Sequence, residues 1–103
     1  MQGGVISGNK AIGGGNGGGV YVSSSGTFSI VTGTIYGTGE GAFSNTVTLS
    51  GIGAASYVQS GGGIAQYGDG SGSWANLPLD TDGIFGYYTD NTIRVVNGVK
   101  ISP

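Results

Sequence analysis

Histidine and cysteine are both missing from the 103 residues. Without histidine no Ser-His-Asp or Cys-His arrangement can form within this chain, which removes nucleophilic catalysis of that kind. Without either residue the usual nitrogen and sulfur ligands of zinc are gone. Disulfides are excluded too, although their absence does not choose a compartment. Charge is scarce: three Lys plus Arg against five Asp plus Glu, a net of −2. No basic patch exists to neutralise phosphates, so nucleic acid is not an expected partner. No apolar run approaches the ~20 residues of a bilayer-spanning helix, and no membrane insertion is expected. Gln2, Gly3 and Gly4 after Met1 do not make a cationic leader, so no signal peptide is read. The chain reads as beginning inside a repeat.

What is abundant is glycine, 25 of the 103 residues, far above the usual ~7%. Glycine-rich chains that stay disordered are normally charged and rich in proline. Here charged residues are 8%, apolar residues 37%, and there are two prolines. Order is therefore expected. Collagen is excluded because glycine does not recur at every third position.

The glycines and serines punctuate short runs that alternate with a period of two: Val20-Tyr21-Val22, Thr27-Phe28-Ser29-Ile30 and Thr34-Ile35-Tyr36. That period belongs to strands, not helices. The connections are too short for helical crossovers. The fold expected is all-β: a short right-handed parallel β-helix, or solenoid, of about three to four coils with a C-terminal strand or hairpin cap. Val20, Val22, Phe28, Ile30 and Ile35 are the expected inward residues. Two internal matches set the expected repeat. Gly4-Val5-Ile6 matches Gly33-Thr34-Ile35 at a spacing of 29, and Gly17-Gly18-Gly19-Val20 matches Gly61-Gly62-Gly63-Ile64 at a spacing of 44. The difference places an insertion in residues 38–60, within which Thr46 to Ser50 reads as a strand with Val47 and Leu49 on one face.

The whole chain, 1–103, reads as a single domain. Residues 3–67 are the repeat coils, 68–91 an irregular region, and 92–101 a terminal strand or hairpin. Asn97-Gly98 is a strong type I′ turn signal. Gln66 falls where a valine sat in the earlier coil. It either points inward or marks a bulge that turns Ala65 and Tyr67 inward; the bulge is preferred, because an unpaired buried amide costs ~1–3 kcal/mol.

Few residues point to chemistry. Gly37-Thr38-Gly39-Glu40-Gly41-Ala42 fits a dinucleotide pattern superficially, but no helix follows to receive a phosphate. Asp80 and Asp82 alternate as calcium ligands or an acid/base pair would. Pro78 and Gly83 flank them as an exposed turn, and calcium needs six or more oxygens. Gly68-Asp69-Gly70 resembles one copy of a calcium-binding repeat without its repetition. No catalytic, cofactor-binding or metal-binding residue is assigned and no cofactor is expected. Among the aromatics, Tyr21, Tyr36 and Trp74 are the candidates for a ligand face, against the simpler reading that aromatics fill the core.

The phrases Gly18-Gly19-Val20-Tyr21-Val22-Ser23-Ser24-Ser25-Gly26-Thr27-Phe28 and Gly33-Thr34-Ile35-Tyr36-Gly37 resemble repeats of bacterial right-handed parallel β-helix surface proteins. The likeness is to pectin-lyase-like solenoids of spirochaete and Bacteroidetes proteins and, more loosely, to autotransporter passenger domains. It covers residues 3–67, with a further similarity over 91–99. It implies an extracellular or cell-surface location and adhesive or structural work. Its pectinolytic members use charged residues on one strand face, and no position here matches them.

The function expected is a non-enzymatic structural or adhesive module of a bacterial surface or secreted protein. The alternative is a carbohydrate-binding or carbohydrate-active fragment whose active residues lie outside this chain. Partners on either reading are host or matrix glycans or proteins. A homo-oligomer through the solenoid ends is also expected, since an unpaired strand edge around Val5 and Ile6 templates pairing. Ice binding is disfavoured because Thr32, Thr34, Thr46 and Thr48 make no regular ladder.

Overall fold

A computed structural model describes residues 1–38, 41–48, 54–59, 63–77 and 92–101. Eleven strands and one short 3-10 turn make up the described chain. In the first pass are β1 (Gln2–Ile6), β2 (Lys10–Ala11), β3 (Val20–Val22) and β4 (Thr27–Ile30). The second pass holds β5 (Thr32–Ile35), β6 (Thr46–Val47), β7 (Ser56–Val58) and β8 (Ile64–Tyr67). Last come β9 (Ala75–Asn76), β10 (Ile93–Val96) and β11 (Val99–Lys100).

Each strand of the first pass pairs in parallel with its counterpart in the second: β1 with β5, β2 with β6, β3 with β7 and β4 with β8. The late strands break this direction. β9 joins β8 antiparallel, β10 joins β5 antiparallel, and β11 folds back antiparallel on β10. Four separate sheets result, ordered β1-β5-β10-β11, β2-β6, β3-β7 and β4-β8-β9.

The expectation of a single right-handed parallel β-helix of three to four coils, closed by a cap, is corrected by this topology. The described chain is all-β, but its sheets are small, separate and mixed, and wherever a third strand joins a sheet it runs antiparallel. The spacing between partners is not constant either. Val5 pairs with Thr34, 29 positions on, as the glycine match around it implied. Lys10 pairs with Thr46, 36 positions on. Part of the added length between them is taken up by the 3-10 turn Gly41–Phe43. The second match misled: Val20 pairs with Ser56, and Ile64 pairs with Thr27. Glycine triplets mark corners, which look alike. Register is set by which alternating side chains reach the core, and corners carry none of that information.

The alternation itself reads through to the core. Ile30, Ile35, Ile93 and Val95 are fully buried, joined by Val22, Ala55, Val58, Ala65 and Leu77. Along β10 the pattern is in, half, in, out, as a strand with one covered face requires. Val20 and Phe28 pack against this cluster while keeping part of their surface in water. Phe28→Ala is accordingly expected to cost about 2 kcal/mol, below the 3–5 typical of a fully enclosed ring. Urea denaturation measures it, and an unchanged midpoint would contradict the packing.

No bulge is needed at Gln66. Pairing runs unbroken from Thr27 with Ile64 to Ile30 with Tyr67. This turns Ala65 and Tyr67 toward the core and leaves Gln66 to donate Nε2–H to Ser29 Oγ at 2.9 Å. At the far end Asn97 (φ 47°) and Gly98 (φ 77°) both occupy the left-handed region. A two-residue type I′ hairpin demands this, and it joins β10 to β11.

The core is small, and polar groups inside it are fully used. Asn45, Ser56 and Thr92 are buried. Thr92 Oγ1 accepts the Gly37 amide at 2.9 Å. Among the described residues no buried side-chain polar atom lacks a partner. None of the described helices is long and apolar enough to cross a membrane. Asp80, Asp82, Leu49 and the aromatics Phe85, Tyr87 and Tyr88 lie outside the described residues.

Candidate functional site

The three ligand-face candidates lie apart, on or beside different sheets. Tyr21 sits at the centre of β3 and is 50% exposed. It stands in register with Tyr57 of β7, and the two rings stack at 5.6 Å between centroids with planes 23° apart. Parallel pairing puts equivalent residues side by side on one face, so two tyrosines in register must meet. Tyr36 follows β5 and is half-buried; its ring tilts against Phe43 at 6.0 Å. Trp74 precedes β9 and is 38% exposed. Neither ring pair joins any two of the three candidates.

Of the three, Trp74 stands in a formed cleft. An open hollow of about 380 Å³ lies where the β8–β9 turn meets the β10–β11 turn. Its lining combines the Trp74 indole with Asp69, Ser71, Ser73 and Asn97. The two turns come together at glycines. A methyl group on Gly98 would sit 2.5 Å from the Asp69 nitrogen and 2.7 Å from the Gly68 carbonyl carbon. One on Gly68 would sit 2.5 Å from the Ser73 oxygen and 2.9 Å from Cε3 of Trp74. The indole thus rests against the Gly68 backbone. The second turn is tied down separately. Gly98 N–H donates to Val31 O at 2.8 Å, and Asn97 N–H donates to Thr32 Oγ1 at 3.0 Å.

Asp69 caps its own turn. The Ser71 amide donates to Asp69 Oδ1 at 2.9 Å. Hydrogen bonds from the Ser71 side chain and backbone hold the carboxyl below its ordinary value, and burial opposes this only weakly. At neutral pH the group is therefore an ionised acceptor that donates nothing. No lysine or arginine lines the cleft.

A second hollow of about 130 Å³ is lined mainly by Val58, Ile64, Ala65 and Leu77 with Asn76 at its side. It is too small for a typical ligand site, which runs to ~300 Å³ or more. Among the described residues no group of three or more His, Cys, Asp or Glu is placed to hold a metal.

Sequence reasoning singled out Trp74 but missed its neighbours. Gly68 to Ser73 reads as a turn cluster and Asn97-Gly98 as a hairpin turn, each from local signals. Nothing local says that the two turns touch, because that contact depends on β10 choosing the free edge of β5. Comparison with protein-family models, with curated proteins and with solved structures finds no match for this chain.

Proposed function

We propose that the chain is a non-enzymatic adhesive or structural module of a bacterial surface or secreted protein, working through contact and not through chemistry. One observation carries this reading. Eight large apolar or aromatic side chains stand out in water among the described residues, including Val5, Ile12, Tyr21, Phe43 and Trp74. They are borne on strands and on the turns between them. Two of them, Trp74 and Val99, line one hollow, and exposed apolar groups gathered in this way favour partner contact. The catalytic alternative has little to draw on. Histidine and cysteine are absent from the sequence, and Asp69, one of its five acids, is tied to Ser71.

Beads coated with the chain test the proposal. They should be retained under flow on surfaces carrying matrix proteins or polysaccharides, and the polysaccharide chains should keep their length. Retention on no coating, or shortening of a polysaccharide, would reject it.

A further inference from the structure

The cleft at Trp74 has a chemistry more specific than stickiness. Its broadest apolar element is the Trp74 indole, which rests against Gly68, with Tyr67, Ala75 and Val99 also on the lining. Around the indole stand two hydroxyls, Ser71 and Ser73, the amide of Asn97 and the carboxylate of Asp69. Both walls are fixed at glycine contacts and by backbone hydrogen bonds. A site that needs no rearrangement loses less freedom on binding.

We propose that this cleft binds a neutral hexopyranose unit of a glycan, an assignment that rests on the adhesive reading above and gives it a ligand class. A pyranose has two kinds of surface. Its axial C–H groups form an apolar patch with slight positive charge, which suits the negative face of an aromatic ring. Its rim carries hydroxyls that both donate and accept. The cleft answers both: indole for the patch, and for the rim an acceptor-only carboxylate, two hydroxyls and an amide.

Other ligand classes match less of the lining. An acidic sugar, phosphate or acidic peptide would meet the Asp69 carboxylate with no cation to balance it. A wholly apolar ligand would strip water from the polar rim and leave it unpaired. An organic cation would use the indole and the carboxylate, but the hydroxyls and amide of the lining would have nothing to do.

The molecule carries its own reporter, since Trp74 is the single tryptophan. Fluorescence of the full chain is titrated with cellohexaose, maltohexaose and mannohexaose, and in parallel with oligogalacturonate and tetramethylammonium chloride. At least one neutral oligosaccharide should give a saturable blue shift in the millimolar range, and the charged probes none. Calorimetry on Trp74→Ala should then find the affinity lower by roughly tenfold or more. Because the ring is partly exposed, the variant should keep its circular dichroism spectrum. Gly68→Ala, which moves the indole, should lose binding in the same way.

No shift with any of the three neutral oligosaccharides overturns the assignment, as does a shift with either charged probe or undiminished binding by Trp74→Ala. The bead assay separates the two proposals. Retention of Trp74→Ala beads equal to that of the unaltered chain sinks the saccharide site and leaves the adhesive module standing. No retention of the unaltered chain on any coating sinks the module itself.

Discussion

Asn45→Asp, a change of one atom, is expected to cost about 4 kcal/mol or more at neutral pH. Asn45 is fully buried directly before β6, in the second pass. Its Nδ2 donates to two carbonyls, Ile6 O and Tyr36 O, each at 2.8 Å. Its Oδ1 accepts from the Asn9 backbone N–H at 3.0 Å and from Asn9 Nδ2 at 3.1 Å. One amide thereby ties the ends of β1 and β5 to the segment leading into β2. Replacing the nitrogen with oxygen turns two donor contacts into oxygen facing oxygen. As a carboxylate the new group is buried without a cation; when protonated it offers one O–H to two carbonyls. Its folded pKa is therefore raised above the unfolded value. The electrostatic part of the penalty is full above that raised value and shrinks as pH falls through it. Asn45→Ala should cost somewhat less, about 3 kcal/mol, for carbonyls and N–H groups left unpaired. Urea midpoints at pH 7 and pH 4 measure all of this. Equal stability of the Asp variant and the parent at pH 7 would refute the role given to the amide.

The period-two alternation of Val20, Val22, Phe28, Ile30 and Ile35 was legible because burial of one strand face leaves that mark on any β chain. The Asn97-Gly98 hairpin was legible because few residue pairs tolerate two successive positive φ angles. What stayed hidden depends on distant choices. Nothing in Thr46-Val47 says that it pairs with Lys10-Ala11 and not with a segment closer in the chain. Neither does Ile93 announce that it will lie antiparallel to Ile35. Asn45 looks like one more loop asparagine until β1, β2 and β5 surround it. Both the antiparallel additions and the Trp74 cleft follow from such pairings. A reading built on local pattern therefore recovers the strands and their inward residues, and overextends the parallel stacking it sees in the first two passes.

The triplet Gly17-Gly18-Gly19 divides along the same line. As a corner it should need positive φ angles, and Gly17, at φ 76°, has one. Gly18 and Gly19 do not. They are glycine because another part of the chain passes too close for a side chain.

Gly18→Ala is for this reason expected to cost about 3 kcal/mol or more, at the upper end of overpacking changes. A methyl group there would run into the Thr46 carbonyl oxygen and sit 2.6 Å from the Ala54 oxygen and 2.9 Å from the Thr46 nitrogen. All three are backbone atoms, from two separate segments, so no rotamer change relieves the clash. Movement away from it would pull on Gly19 N–H and Val20 N–H, which donate to Ala54 O and Ala55 O at 3.0 Å each. Those bonds lead directly into the β3–β7 pairing. Gly15→Ala is the matched control. Its φ is likewise unstrained, and its methyl would lie 3.3 Å from the Ile12 oxygen and 3.6 Å from the Ala11 side chain. There the loss of freedom in the unfolded chain, worth ~0.4–1 kcal/mol, should offset the tight contact and leave stability nearly unchanged. Thermal unfolding of the two variants side by side decides the matter. If Gly18→Ala melts with Gly15→Ala and the parent, the second pass does not lie against Gly18. If both variants melt early, these glycines serve the backbone conformation and not the close approach.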